Sequence, residues 1–169
     1  FRTVIVIPET QSQEKKDMLR LCGVDLREVP AVPYKNPFNY VHVSERLAHD
    51  LAKTEPNGAF WANQFDNVAN RQGHYETTGP EIWEQTGGKV THFVAGAGTG
   101  GTVSGAGKFL KEQNPRIRVI AGDPVGSLYT GWARTRAMGE GAPYKVEGIG
   151  GDKIPTTILF EHIDEFRQL

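Results

Sequence analysis

The chain has almost no cysteine, no long apolar run and almost no net charge. Cys22 is the single cysteine among 169 residues, which excludes an internal disulfide and fits a reducing compartment. The longest apolar stretch, residues 4–7, is far too short to cross a bilayer. Nineteen basic against twenty acidic residues give a net charge of −1. This balance favours neither a nucleic acid nor an anionic membrane surface as a partner.

Cys22 and the ends of the chain carry two further expectations. Cys22 follows Met18, Leu19 and Leu21 in a helical pattern. We therefore expect a small buried side chain there and not a catalytic thiol, which needs an electropositive, partly exposed surrounding. The chain opens within a strand-like run without an initiator methionine, and no signal or transit segment is visible. We expect an internal segment of a longer protein.

Apolar periodicity predicts an alternation of strands and helices. Strands are predicted at residues 3–7, 25–29, 59–61, 92–95 and 117–121. Helices are predicted at residues 12–21, 41–53, 74–85 (interrupted near Gly79 and Pro80), 103–113 and, within a loop-rich region, 128–138. This alternation is typical of an α/β fold with a mostly parallel, twisted sheet and helices on both faces. Ligands of such sheets bind beyond the carboxyl ends of the strands.

A glycine-rich loop, residues 96–102 (GAGTGGT), lies between a predicted strand and a predicted helix. Glycines allow the backbone to approach a ligand closely, and free N–H groups at the start of a helix attract an anion. The hydroxyls of Thr99 and Thr102 add two side-chain donors. The loop therefore predicts a phosphate site.

Two ligands compete for this loop. Gly96, Gly98 and Gly101 satisfy the G-x-G-x-x-G pattern, and Asp123 follows at the end of the next predicted strand. An NAD-binding oxidoreductase domain uses such an acid to bind ribose hydroxyls. Hydroxyls on either side of the glycines suit the three terminal oxygens of a phosphate monoester better, and Pro124 restricts the backbone of Asp123. The residues alone leave both ligands open.

Several motifs, in order along the chain, resemble one enzyme family. Residues 64–70 (QFDNVAN), 77–83 (TTGPEIW) and 96–102 resemble the cysteine synthases. Residues 123–127 (DPVGS) and 146–155 (VEGIGGDKIP) are closer to cystathionine β-synthase. Both are fold-type II pyridoxal-phosphate enzymes with a tryptophan-synthase-β-like fold. The resemblance runs from Thr3 to about Thr157.

The resemblance implies a cofactor and its site. The cofactor is pyridoxal 5'-phosphate, with its phosphate expected on Gly98, Thr99, Gly100, Gly101 and Thr102. The amino-acid substrate is expected at Gln64, Phe65, Gly148, Ile149 and Gly150. In the family, a glutamine lies near the substrate carboxylate and the glycine loop lies on the reacting face of the cofactor.

The implied activity is β-replacement on an O-activated serine, in which sulfide or a thiol displaces the β-substituent and cysteine is made. The alternative within the same chemistry is cystathionine β-synthase, which joins serine and homocysteine. The family also implies a homodimer in the cytoplasm, or in the mitochondrion if a transit peptide lies upstream. Residues 1–63 are expected in the smaller, mobile substrate-side domain and residues 64–169 in the larger phosphate-binding domain.

The resemblance also implies what this segment lacks. The Schiff-base lysine belongs to a motif upstream of Thr3, so no catalytic residue is expected in this chain and the segment alone is expected to be inactive. Most of the nine lysines are expected to be solvated charges. Lys153, near a matched loop, is not expected to be catalytic because a catalytic lysine needs burial to lower its pKa. His74 is expected to cap or pack, and the histidines show no metal-ligand spacing. A non-catalytic relative that keeps the fold as a scaffold is the remaining alternative.

Overall fold

The computed structural model describes residues 1–169. The chain divides into two compact units, residues 1–63 and residues 64–169. The helices in both units are too short or too polar to cross a membrane. Each unit combines parallel strands with helices, so the predicted α/β class is confirmed.

The first unit is a two-stranded parallel sheet with two helices. Its elements are β1 (Val4–Pro8), α1 (Gln13–Leu21), β2 (Asp25–Val29) and α2 (Tyr40–Thr54). β1 and β2 pair in register, with Val4 opposite Asp25 and Pro8 opposite Val29. Asn39 caps α2, because its side-chain oxygen accepts a hydrogen bond of 3.0 Å from the backbone N–H of Val41.

One side-chain expectation in the first unit is wrong. Cys22 is exposed, and so are Met18 and Leu21 of the same predicted apolar face, which nothing in the unit covers. Lys16 is an exception among the lysines, most of which were expected to be solvated, since it is the buried residue of α1. Its ammonium donates to the carbonyl of Glu9 at 2.6 Å and pairs with Glu28 at 2.7 Å. Burial of a charge is tolerated when it is paired and hydrogen-bonded in this way.

The second unit contains a three-stranded parallel sheet and four helices. Its elements are α3 (Ala69–Glu76), α4 (Thr78–Gln85), β3 (His92–Gly96), α5 (Gly101–Gln113), β4 (Arg118–Asp123), α6 (Tyr129–Thr135), a short 3₁₀ turn (Phe160–His162) and β5 (Glu165–Gln168). The strand order is β3-β4-β5. His92 lies opposite Arg118, and Ile120 lies opposite Glu165.

The core of the second unit lies between this sheet and the helices α5 and α6. It contains fully buried side chains of α5, β4 and α6, namely Val103, Val119, Ala121 and Tyr129, with Phe166 of β5 beside them. The glycine loop starts at the carboxyl end of β3 and leads directly into α5. The core therefore holds the two elements that carry the loop.

Two predicted elements differ from the structure, and one strand was not predicted. Residues 59–61 form no strand, and Phe60 is exposed. The helix predicted at 74–85 is two helices, α3 and α4, that meet at Thr77. Pro80 lies in the first turn of α4, where proline is tolerated because the N–H groups have no partner within the helix. β5 was not predicted. It forms by pairing with β4, which lies far away in the sequence, and such pairing produces no local sequence pattern that indicates a strand.

Candidate functional site

The glycine loop presents an uncapped helix start. β3 ends at Gly96, and α5 begins at Gly101. Gly100 is the N-cap residue and has a φ of +82°, a conformation that favours glycine. Gly100 has no side chain with which to cap the N-terminus of α5, and the N–H of Gly101 makes only a long hydrogen bond, 3.4 Å, to Thr99 Oγ1. The first N–H groups of α5 and the positive end of its dipole are therefore suited to an anion.

The backbone of the glycine loop packs closely against Gly148 and Ile158. A Cβ added at Gly98 would collide with the carbonyl oxygen of Gly148, and one added at Gly100 would collide with the side chain of Ile158. Glycine at both positions thus lets the backbone of the loop lie directly against its neighbours. These contacts restrict the backbone conformation of the loop.

Two buried hydroxyl groups bind carbonyls of the loop. The phenol of Tyr129 donates to the carbonyl oxygen of Gly98 at 2.8 Å. The hydroxyl of Thr157 contacts the carbonyl oxygen of Thr99 in a very short hydrogen bond. Both side chains are fully buried. Successive peptide groups of the loop are therefore oriented from outside it.

Asn70 of α3 orients the hydroxyl of Thr99. Its amide nitrogen lies 3.0 Å from Thr99 Oγ1 and 2.7 Å from the carbonyl oxygen of Gln64. Since Thr99 Oγ1 accepts this bond, its own proton can be donated elsewhere. The side chain also lies over the start of α5, because a Cβ added at Gly101 would collide with Asn70 Oδ1.

Thr102 is the second hydroxyl of the loop and is exposed. Its oxygen lies 3.1 Å from Nε2 of His74, and Nδ1 of His74 lies 2.9 Å from the hydroxyl of Thr78 at the start of α4. His74 therefore joins two helix starts through hydrogen bonds, in keeping with the packing role expected for it. The Thr102 hydroxyl stays accessible to a ligand.

The predicted substrate segment 148–150 lies against the glycine loop. The N–H of Gly150 donates to the carbonyl of Ala97 at 2.7 Å. A Cβ added at Gly96 would collide with the side chain of Ile149. The segment thus covers the first half of the loop, from Gly96 to Gly98.

Gln64 and Phe65 reach the loop through their backbones. The carbonyl of Gln64 accepts from Asn70, while its side chain is exposed. The carbonyl of Phe65 accepts from the N–H of Thr157 at 3.2 Å, and it lies 2.9 Å from the Thr157 hydroxyl, whose single proton it shares with the carbonyl of Thr99. Thr157 and Asn70 thereby tie this segment to Thr99. The structure brings all three predicted groups of site residues together, and their binding roles stay a prediction.

Lys153 forms an ion pair with Asp66 through a very short contact. Asp66 also accepts from the N–H and the hydroxyl of Thr156, each at 3.1 Å. Burial raises the pKa of Asp66, but the hydrogen bonds from Lys153 and Thr156 outweigh it, and the pKa lies below its ordinary value. An ammonium held in such a pair is a structural charge and not a free nucleophile.

Asp123 is not available to a ribose. Its carboxylate is fully buried. Oδ2 accepts from the N–H of Thr130 at 2.9 Å and from its hydroxyl at 2.6 Å, whereas Oδ1 has no hydrogen-bond partner. Asp123 thus binds the first turn of α6. Burial therefore keeps from a ribose the acid on which the dinucleotide alternative depends.

Sequence reasoning missed three residues that orient the loop: Asn70, Tyr129 and Thr157. Asn70 lies within a motif that carries the family resemblance, which was a usable signal. Tyr129 and Thr157 lie 31 and 58 residues along the chain from the carbonyls that they bind, so no local sequence pattern predicts these hydrogen bonds.

The loop fits a phosphate monoester. It offers backbone N–H groups at the start of α5, and residues 96–102 include no acidic side chain. It also offers the hydroxyls of Thr99 and Thr102. The Thr99 oxygen accepts a hydrogen bond from Asn70, and the Thr102 oxygen can accept one from His74, so each hydroxyl proton can be donated to an anion. The carbonyls of Gly98 and Thr99 are bound by other groups and do not compete with the anion. A phosphate placed here would meet the backbone N–H groups and the two hydroxyls as donors.

Curated relatives match nearly the whole chain. It is 45% identical over 167 residues to Cysteine synthase 1 of Neurospora crassa, an alignment that covers 97% of this chain and 43% of the relative. It is 43% identical over 157 residues to Cysteine synthase 1 of Emericella nidulans, covering 91% and 41%. It is 38% identical over 167 residues to Cystathionine beta-synthase of Apis mellifera, covering 98% and 32%.

The chain thus spans less than half the length of these relatives. A family model described as "Pyridoxal-phosphate dependent enzyme" matches residues 1–168. The match includes the glycine loop and every residue that contacts it. The chain belongs to the family of pyridoxal-phosphate dependent enzymes.

Proposed function

We propose that the full-length protein catalyses β-replacement on an O-activated serine, in which sulfide takes the place of the β-substituent and cysteine is formed. The observation that carries this proposal is the 45% identity, over 167 residues, to a protein named Cysteine synthase 1. The phosphate-binding geometry of the glycine loop agrees with it. The partners of the reaction are then an amino acid and sulfide.

The glycine loop would hold the cofactor. Pyridoxal phosphate, when bound, supplies an electron-withdrawing ring that stabilises negative charge on the α-carbon of an amino acid. Its phosphate would be held by the backbone N–H groups and hydroxyls of Gly98, Thr99, Gly100, Gly101 and Thr102. The uncapped start of α5 and the exposed Thr102 hydroxyl support this placement.

The substrate would lie beside the loop. The exposed side chain of Gln64 would bind the substrate carboxylate, and Phe65 would exclude water. Residues 148–150 would cover the reacting face. Their contacts with residues 96–98 support this arrangement. We place the Schiff-base lysine outside residues 1–169, and the pairing of Lys153 with Asp66 agrees with that.

A second candidate is the joining of serine and homocysteine. The 38% identity over 167 residues to Cystathionine beta-synthase of Apis mellifera favours it. Both candidates use the same cofactor loop. They differ in the leaving group and in the acceptor, which is sulfide in one and a thiol in the other.

The visible absorption spectrum of the purified full-length protein tests the cofactor, and two substrate pairs test the reaction. A lysine-bound pyridoxal phosphate absorbs in the visible range and becomes fixed by borohydride. O-acetylserine with sulfide should then yield cysteine, whereas serine with homocysteine should yield little product. The reverse preference would establish the second candidate. A colourless protein that pyridoxal phosphate cannot reconstitute would overturn both, and cofactor binding without turnover of either pair would favour a scaffold.

We further propose that the full-length protein is a homodimer and lies in the cytoplasm. Both statements follow from the family resemblance. Light scattering of the purified protein should give twice the mass of one chain, and a monomer would contradict the first statement. Fractionation of cells with an antibody against the protein tests the second, and recovery in mitochondria would overturn it.

The two units would belong to two domains of the full-length enzyme. We assign residues 1–63 to the smaller, substrate-side domain and residues 64–169 to the larger, cofactor-binding domain. Amide exchange of the full-length protein should show a substrate-dependent change within residues 1–63 and cofactor protection within residues 96–102. Cofactor protection confined to residues 1–63 would contradict the assignment.

A further inference from the structure

Tyr129 is a buried side chain whose hydroxyl reaches the glycine loop. It is the first residue of α6, is fully buried, and donates to the carbonyl of Gly98 at 2.8 Å. A buried phenol commonly needs a hydrogen-bond partner, and packing alone would be met equally well by phenylalanine. The hydrogen-bond partner of this phenol is a backbone carbonyl of the glycine loop.

The orientation of one carbonyl determines the orientation of the next N–H. A trans peptide is planar, and its C=O and N–H bonds point to opposite sides. With the carbonyl of Gly98 held toward Tyr129, the N–H of Thr99 points away from Tyr129. Glycine at position 98 allows more backbone conformations than any other residue type would. Without the hydrogen bond from Tyr129, this peptide would therefore rotate more freely.

Gly151 leaves the space that the phenol occupies. A Cβ added at Gly151 would collide with the hydroxyl oxygen of Tyr129 and would lie 2.8 Å from Cζ of the ring. Gly151 is fixed in turn, because its N–H donates to Ser127 Oγ at 3.1 Å and its carbonyl accepts from Leu128 at 3.0 Å. The hydroxyl therefore lies between the cofactor loop and the end of the 148–151 segment.

We propose that Tyr129 is a positioning residue for the cofactor, which fixes the Gly98–Thr99 peptide so that the N–H of Thr99 faces the phosphate. Gly151 is the matching position that admits the hydroxyl. The inference rests on the proposed function, since it assumes that the loop binds the phosphate of pyridoxal phosphate. It assigns a role to two residues that lie outside the loop.

The substitution Tyr129→Phe in the full-length protein tests the proposal. Loss of the hydroxyl leaves the Gly98 carbonyl without its donor, and we expect a roughly tenfold weaker affinity for pyridoxal phosphate. Affinity is measured by fluorescence titration of the apo-protein. The phosphorus NMR signal of the bound cofactor should also shift, since one donor to the phosphate is misplaced. Tyr75→Phe is the matched control, because it removes a hydroxyl that binds only the side chain of Glu112 at 2.6 Å.

The outcomes distinguish a failure of the proposed function from a failure of the role given to Tyr129. A wild-type protein that binds no pyridoxal phosphate would overturn the proposed function. A wild-type protein that binds it, together with a Tyr129→Phe protein of equal affinity and equal phosphorus signal, would overturn this inference alone. A lower melting temperature with unchanged affinity would show a merely structural role and would also overturn it.

Gly151→Ala provides a second route if Tyr129→Phe fails to fold. The added methyl displaces the hydroxyl, so the affinity for pyridoxal phosphate should fall in the same direction. In the double variant the two losses should combine to less than their product, because both act through one hydrogen bond. Full wild-type affinity in Gly151→Ala, or independent losses in the double variant, would contradict the proposal.

Discussion

The side-chain amide of Asn70 determines how the Thr99 hydroxyl of the glycine loop can bind an anion. Its amide donates to Thr99 Oγ1 and to the carbonyl of Gln64, and it lies over Gly101 at the start of α5. An amide in this place is neutral and donates. It leaves the Thr99 hydroxyl ready to donate to an anion.

The substitution Asn70→Asp should therefore weaken cofactor binding. A carboxylate cannot donate to Thr99 or Gln64, and it places a negative charge beside the proposed phosphate site. We expect the affinity of the full-length protein for pyridoxal phosphate to fall at least roughly tenfold, a change of about 1.4 kcal/mol. Fluorescence titration of the apo-protein measures it.

Asn114→Asp serves as the control for Asn70→Asp. Asn114 follows the opposite end of α5, and its side-chain oxygen accepts from the N–H of Arg116 at 3.1 Å. Aspartate can accept the same bond, so the same change of charge should leave cofactor affinity unaltered. Equal affinities in the Asn70→Asp and wild-type proteins would contradict the role given to Asn70.

Residue-scale predictions from sequence succeed where the pattern is local. Thr99 and Thr102 flank glycines in a short loop, so their closeness to one anion could be predicted. The pairing of Asp66 with Lys153 joins residues 87 positions apart, and no periodicity signals it. Cys22 was misplaced because the apolar face to which it was assigned is itself exposed, as Met18 and Leu21 are.

At the scale of elements, α3 and α5 approach each other through glycine. A Cβ added at Gly105 would collide with the carbonyl of Arg71 and would lie 2.9 Å from Cβ of His74. The obstacle is backbone, which cannot rotate aside. This contact sets the position of α3 and therefore of Asn70 beside the loop.

Gly105→Ala should separate the two helices and destabilise the protein by about 1–3 kcal/mol or more. Gly73→Ala, in α3, meets nothing within 4 Å and should stabilise it by about 0.5–1 kcal/mol, since alanine has the higher helix propensity. Thermal melting of the two full-length variants should move in opposite directions. A Gly105→Ala protein as stable as wild type would mean that α3 does not pack in this way.

Elements with a strong local pattern were predictable, and those that depend on distant partners were not. α5 follows a strand and a glycine loop, and its predicted end at Gln113 agrees with the structure. β5 pairs only with β4, more than forty residues earlier in the chain, and was missed. The break at Thr77 was placed at Gly79 and Pro80, because both residues usually interrupt a helix except in its first turn.

At the scale of the molecule, two ion pairs join distant parts of the second unit. Asp66 pairs with Lys153, and Asp164 pairs with Lys111 at 2.8 Å. Asp164 also accepts from the N–H of Val119 at 2.7 Å. Burial raises the pKa of Asp164, but the hydrogen bonds from Lys111 and Val119 outweigh it and the pKa lies below its ordinary value. Both aspartates are thus more acidic in the folded state than in the unfolded chain.

Acid should therefore remove the stability that these two carboxylates contribute. Because their folded pKa values are lowered, the contribution is fully present above the pKa of an unfolded aspartate, about 3.9, and is lost as the pH falls through the lower folded values. We expect Asp66→Asn/Asp164→Asn in the full-length protein to melt below wild type at pH 7, and the difference to shrink below about pH 4. Asp50→Asn is the control, since the side chains of Lys53 and Asp50, which are 74% and 72% accessible, form an exposed pair that should contribute little at any pH. A difference in melting temperature that stays constant from pH 7 to pH 3 would show that neither carboxylate acts through its charge.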